Sequence, residues 1–260
     1  VKPYYQDDHC TIYHGDARDI MPAIANDVGS VVITDPPYGE TSLEWDRWPT
    51  GWIDALPSSV RQLWCFGSMR MFLERSADFH AWSYGQEIVW EKHNGSGFAN
   101  DRFKRVHEFA THWYRGRWSD INVTPQYTHD ATKRAVRRKT RPTHTGHIEQ
   151  SAYRSEDGGP RLQRSVLRVR SCHGHAIHPT EKPLGIIQPL IGYSTTPGDV
   201  VVDPFMGSGS VLDAARQTGR AAIGIEISER YCEIAANRLD QGILDFGPTI
   251  SEHPTNKEQP

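Results

Sequence analysis

The run Asp35-Pro36-Pro37-Tyr38 constrains this chain more than any other stretch. It follows Ser30-Val31-Val32-Ile33-Thr34, a β-branched apolar segment that reads as a buried strand. Two consecutive prolines lack the N–H groups that a sheet ladder needs, so the strand must end there, and end stiffly. An acid, two backbone carbonyls and an aromatic ring are thereby fixed at a strand's carboxyl edge, where ligands bind in open α/β sheets. The set suits a flat, amino-bearing ring. Tyr38 offers a stacking face, while Asp35 and the Pro36 carbonyl accept hydrogen bonds from the ring's NH2 group. Standing alone, the tetrapeptide would serve equally well as a Pro-Pro turn with an incidental acid; the second half of the chain decides between the two.

That second half carries Val200-Val201-Val202-Asp203, a strong strand, then the Gly-rich turn Pro204-Phe205-Met206-Gly207-Ser208-Gly209-Ser210. A helix over 211–218 and a further strand, Ala221-Ala222-Ile223-Gly224-Ile225-Glu226, complete a nucleotide-binding half. Gly207 and Gly209 let the backbone approach a ligand closely. The third glycine of a dinucleotide fingerprint is missing, since Leu212 stands there, and Asp203 sits where a pyrophosphate would lie. A ligand with a ribose, no phosphate and a positive amino group fits better. S-adenosylmethionine has all three properties, with Glu226 for the ribose hydroxyls and Asp203 close to the ammonium.

Between the two half-sites the pattern alternates. Short strands are expected at 11–16, 62–66, 86–90 and 107–114, with helices at 17–25 and 68–80. A loop from Gly39 to Trp52, containing Trp45-Asp46-Arg47-Trp48, reads as a surface loop beside the site, with Trp45 and Trp48 as candidates for touching a large substrate or closing the site. From about 115 to 172 the periodicity fades and basic residues crowd in, Arg137-Arg138-Lys139 most densely. In a chain of net charge −3, a basic insert of this kind is a candidate polyanion-binding lobe, and any such surface must be local. Regular structure is expected again from His178-Pro179-Thr180-Glu181-Lys182-Pro183 through helices at 184–193 and 229–241, before a polar tail.

The 260 residues suit one large α/β domain with an inserted lobe. Four cysteines, at 10, 65, 172 and 232, lie far apart, as expected of reduced thiols in a cytoplasmic protein. Neither a membrane span nor a signal peptide is expected. The spacing of Cys172, His173, His175 and His178 matches no metal-site pattern, so no metal is expected.

Taken together, these residues resemble the amino-group DNA methyltransferases. Asp35-Pro-Pro-Tyr38 resembles the family's catalytic motif, Asp203-Pro-Phe-Met-Gly-Ser-Gly209 its cofactor motif, and His178-Pro-Thr-Glu-Lys-Pro183 the segment that precedes the latter. Catalytic motif first and cofactor motif last is similar to the permuted β order of that family. The resemblance implies a doubly wound, mostly parallel seven-stranded α/β sheet with one antiparallel strand and an inserted target-recognition region. It implies a catalytic half at 1–114, recognition at 115–172, a cofactor half at 173–244 and a tail at 245–260. It further implies that Asp16 meets the cofactor's adenine, that Phe205 packs on the cofactor, and that Thr180 or Lys182 lies near its carboxylate.

The expected reaction moves the methyl group of S-adenosylmethionine to the N6 amine of an adenine flipped out of duplex DNA. An acid at position 35 resembles the adenine enzymes, whereas serine is more usual for cytosine N4. Methylation of cytosine N4, of RNA or of a protein amine on the same fold are the alternatives, with an idle DNA-binding relative as a rival class. The partners implied are duplex DNA, with a second copy of the chain and a cognate restriction endonuclease as further candidates.

Overall fold

The structure, a computed structural model, describes residues 1–29, 31–96, 101–137, 152–171 and 181–241. The chain opens with β1 (Tyr5–Gln6), β2 (Cys10–His14), α1 (Ala17–Ala23) and β3 (Val31–Thr34), the last ending where the prolines begin. Next come β4 (Gln62–Gly67), α2 (Met69–Glu74), β5 (Ser83–Ser96) and β6 (Arg105–Tyr114). Short strands follow: β7 (Tyr127–Thr128), β8 (Arg134–Arg137), β9 (Ala152–Ser155), β10 (Arg161–Leu162) and β11 (Val166–Arg168). The chain then forms α3 (Leu184–Ser194), β12 (Val200–Asp203), α4 (Ser210–Gln217), β13 (Ala221–Glu226) and α5 (Glu229–Gln241).

One sheet organises the molecule, in the order β1-β2-β13-β12-β3-β4-β6-β5-β11. Its seven inner strands, β2 to β5 in that order, are parallel except β6, which runs against both β4 and β5. Two short edge strands, β1 and β11, extend the expected seven to nine. Side chains alternate between the faces. Val31, Ile33, Trp64, Phe66 and Val201 pack on one side with α3, α4 and α5. Val32, Leu63, Cys65, Val202 and Ile223 pack on the other with α1, α2 and the Trp52–Leu56 turn. Helices on both faces make the fold doubly wound.

The strand at 86–90 is longer than its sequence pattern suggests, because Ser96 still pairs with Arg105 across the hairpin to β6. The helix expected over 68–80 breaks at Arg75, whose φ of −110° ends α2 before a 3-10 turn at Ser76–Phe79. Within the basic insert, β7 pairs with β10 and β8 with β9 in two small ribbons. Val166–Arg168 then returns to the main sheet beside β5, with Leu167 buried. Among the described residues no helix is long and apolar enough to cross a membrane.

The arrangement of β12 and β3 matters most. They are parallel neighbours at the sheet centre, but β12 leads to β13 on one side while β3 leads to β4 on the other. The two connections also cover opposite faces, so a crevice opens between the strands' carboxyl ends. This is the topological switch point at which doubly wound sheets bind ligands.

Candidate active site

A cavity of about 570 Å³ occupies that crevice. Asp35 and Tyr38 line it from the end of β3, Asp203 and Phe205 from the end of β12, Glu226 from the end of β13, and Asp16 from the start of α1. Three acids thus stand at the tips of three adjacent parallel strands, which is a consequence of register rather than of sequence proximity.

At the β3 edge, Lys182 Nζ donates to Asp35 Oδ2, while Asp35 Oδ1 is buried and makes no hydrogen bond. Burial pushes the Asp35 carboxyl above the usual range; the Lys182 cation opposes that shift and the Glu108 carboxylate adds to it. Lys182 also lies 3.5 Å from Glu108 Oε2, and Glu108 in turn is paired with Lys92. Burial alone would strip the lysine of its proton, but Asp35 and Glu108 hold it as a cation. Lys182, expected from the resemblance near the cofactor's carboxylate, has anionic neighbours of its own in Asp35 and Glu108, as a buried ammonium needs. Glu108 carries one signal in the sequence, a lone acid within the otherwise apolar and aromatic strand His107-Glu108-Phe109-Ala110.

Tyr38 is set by a residue that the sequence reading left in a loop. The Asp46 carboxylate is buried and accepts from the amides of Tyr38 at 2.9 Å, Gly39 at 2.8 Å and Thr41 at 2.7 Å. These bonds outweigh burial and hold the Asp46 carboxyl below its ordinary value. Gly39 has φ +76°, which lets the chain turn back over that carboxylate. The loop's far side is tied down as well, since Trp48 Nε1 donates to Asp78 at 2.6 Å and the Trp48 ring packs edge-on against Trp52.

In the other half, Glu226 accepts from the Gly207 amide at 3.0 Å and the Ser228 amide at 2.9 Å, one bond on each carboxylate oxygen. Both oxygens keep a further lone pair for a ligand hydroxyl. Gly209 caps α4 at φ +80°, and a Cβ there would come within 3.0 Å of Ala235. Asp203 accepts from Thr34 Oγ1 at 2.7 Å and from the Phe205 amide at 3.0 Å, yet burial pushes its carboxyl up to about 7. The Phe205 ring stands edge-on to Trp52 with centroids 5.2 Å apart. Asp16 caps α1 through the Arg18 amide and pairs with the Arg18 side chain.

Trp45 is 42% exposed and lines the same cavity. Arg137 ends β8. Arg138, Lys139 and Thr180 lie outside the described residues, as do Cys172, His173, His175 and His178.

The family model for N6/N4 methyltransferases, described as DNA methylase, matches residues 30–237. The chain is similar to the type II methyltransferase M.ScaI of Streptomyces caespitosus, with 24% identity over 265 residues covering 92% of this chain and 84% of the relative. It is 35% identical to the putative methylase YubD of Escherichia coli strain K12 over 143 residues, 53% of this chain and 58% of that one. Among solved structures, the M1.HpyAVI–SAM complex is similar with a TM-score of 0.61 and 25% identity, covering 89% of this chain and 99% of that one. PvuII DNA methyltransferase, named as cytosine-N4-specific, shares the fold with a TM-score of 0.61 at 16% identity, over 96% of this chain and 91% of its own.

Proposed function

This chain belongs to the DNA methylase family, and from that premise we propose that it methylates the N6 amine of adenine at specific sites in duplex DNA, using S-adenosylmethionine. The single observation that carries the amine-methylating chemistry is Asp35 Oδ1, a carboxylate oxygen buried at a cavity wall without a hydrogen bond of its own. Such an atom is costly unless a donor arrives to meet it. The exocyclic NH2 of a flipped base is such a donor, and the Tyr38 ring offers the base its stacking surface.

The residues of the other half suit the cofactor. Glu226, oriented by two amides, has lone pairs left for the ribose hydroxyls, and Asp203 can pair with an ammonium. When bound, the cofactor supplies a methyl group on a positively charged sulfur. The work of the chain is then positioning. Asp35 and the Pro36 carbonyl take the amine's hydrogens, which favours a pyramidal nitrogen whose lone pair can attack. The nitrogen's surplus proton can pass to Asp35 Oδ1, which carries no hydrogen bond of its own. Residues 115–172 are proposed as the target-recognition region, on the strength of their basic composition and of the two ribbons they build beside the sheet.

Adenine is preferred to cytosine because a carboxylate at position 35 is a strong acceptor for a conjugated amine. The test is direct. Unmethylated duplex DNA is treated with the protein and S-adenosylmethionine, digested to nucleosides and separated by mass. N6-methyladenine is the expected product, and N4-methylcytosine as the dominant product would overturn the base assignment while leaving the amine chemistry in place.

A further inference from the structure

Asp35 is the first member of a buried chain of alternating charge that runs away from the cavity. Lys182 donates to its Oδ2, Glu108 lies 3.5 Å beyond on the other side of that ammonium, and Lys92 closes the series on Glu108. The side chains are 17%, 7%, 13% and 15% exposed in that order, so water screens none of them well. Lys182 sits above the Phe66 ring at 5.4 Å and Lys92 above the Trp90 ring at 4.7 Å. The four charges sum to zero. Glu108 and Lys92 come from β6 and β5, far in sequence from both motifs, and a structural role alone is served more cheaply by apolar residues.

We propose that Glu108 and Lys92 are positioning residues for methyl transfer: Glu108 braces Lys182 so that Asp35 Oδ1 alone is turned to the substrate amine, and Lys92 offsets the Glu108 charge that would otherwise favour a protonated Asp35. The assignment rests on the amine-methylating reading of the site. Its logic is that an isolated buried carboxylate would take up a proton and cease to accept. Lys182 answers that by donating to Asp35 Oδ2. Glu108 braces Lys182 from behind, and Lys92 balances the charge that Glu108 brings.

Charges near Asp35 make the proposal testable with opposite signs. Those facing it are Lys182 from the segment before α3, Glu108 from β6, Lys92 from β5, and Asp203 from β12, with the ionisable Tyr38 and Cys65 alongside. Glu108→Gln removes an anion at constant shape, so the Asp35 titration moves down. Lys92→Met removes a cation, so it moves up. Each shift is expected to be about one pH unit. The full chain is labelled with carbon-13 at the aspartate carboxyls, the Asp35 signal is assigned by its loss in Asp35→Asn, and its titration is followed in all three backgrounds.

Opposite displacements support the charge chain. A signal that stays put in both variants, or moves the same way in both, overturns it. Single-turnover transfer by Glu108→Gln is then expected to slow by up to about 100-fold with cofactor affinity unchanged, since a small misplacement of a reacting group costs that much. Wild-type protein that methylates no DNA would overturn the functional reading, and the carboxyl titration would still decide the chain.

Discussion

If Asp203 pairs with the cofactor's ammonium as proposed, cofactor binding becomes a titration. The Asp203 carboxyl is 3% exposed at the end of β12, and burial raises it from an ordinary value of 3.8 to about 7, against the two hydrogen bonds from Thr34 and Phe205. The nearby Asp35 and Glu226 carboxylates add to the rise. Only the ionised form can pair with the cofactor's ammonium, so the association constant should follow the ionised fraction. With a value near 7 that fraction is roughly 3% at pH 5.5 and roughly 75% at pH 7.5, a tightening of about 25-fold. The window closes near pH 8, where an α-amino group begins to lose its own proton. Calorimetric titration of S-adenosylmethionine at half-unit steps measures the slope, and repeating it in two buffers of different ionisation enthalpy counts the proton released. A dissociation constant flat to within about twofold over the window would refute the reasoning, as would an Asp203→Asn variant that keeps the slope.

The same group acts on folding in the opposite sense. Asp203 binds its proton more tightly in the folded chain than in the unfolded one, so between 3.8 and about 7 the folded state holds more protons. Its contribution to stability is therefore full below the unfolded value and declines as pH rises through that interval, by about 4 kcal/mol at most for a shift of this size. The cofactor's ammonium offsets the loss, so the gap between free and cofactor-saturated melting temperatures should widen as pH rises from about 5 to about 7.

Three further outcomes are expected. Asp46→Ala removes the acceptor of three amides around Tyr38, and with water replacing part of the loss it should cost about 2–3 kcal/mol in loop order, read as a roughly 30- to 160-fold slower single turnover. A denaturation midpoint that falls by the same free energy would show that Asp46 braces the whole fold instead of the loop. Glu226→Ala should weaken S-adenosylmethionine by about 1.5–3 kcal/mol in calorimetry, and an unchanged constant would remove Glu226 from the ribose site. DNA affinity should fall with salt by about 0.9 log units per phosphate contact per decade, and replacing Arg137, Arg138 and Lys139 together by glutamine should flatten the slope measured by fluorescence anisotropy. An unaltered slope would mean that DNA docks elsewhere.

The strands that carry the site could be read directly, because β3, β12 and β13 are runs of β-branched and small apolar residues, each ending in or just before an acid, with proline following at β3 and β12. Their adjacency could not: nothing local says that a strand ending at Asp203 pairs with one that begins at Val31. The same limit hid the role of Lys182. From its neighbours it reads as a lysine at a helix start, and its partners Asp35 and Glu108 are brought to it only when β3 and β6 take their places in the sheet. Asp46 was hidden differently. Its bonds are to backbone amides eight, seven and five residues earlier, and such capping of a loop by its own carboxylate leaves no periodic trace. The exposed insert shows the weakest correspondence, since two-residue strands such as β7 and β10 bury almost no side chain to pattern the sequence.

A buried hydrogen bond between neighbouring strands also joins the two halves of the site. Thr34, the residue before Asp35, donates its hydroxyl to Asp203, so the strand carrying the proposed acceptor for the amine is tied to the acid proposed to meet the cofactor. Thr34 is fully buried between them. When Asp203 is protonated, its carboxyl gains a donor of its own and needs the threonine's less; when Asp203 is ionised, the charge-assisted bond draws β3 and β12 together at their carboxyl ends. If Asp203 takes the cofactor's ammonium as proposed, binding would favour the ionised form and tighten the strand end on which Asp35 is mounted. On the proposed function, a site assembled from opposite ends of the chain would then fill in order, cofactor before substrate amine.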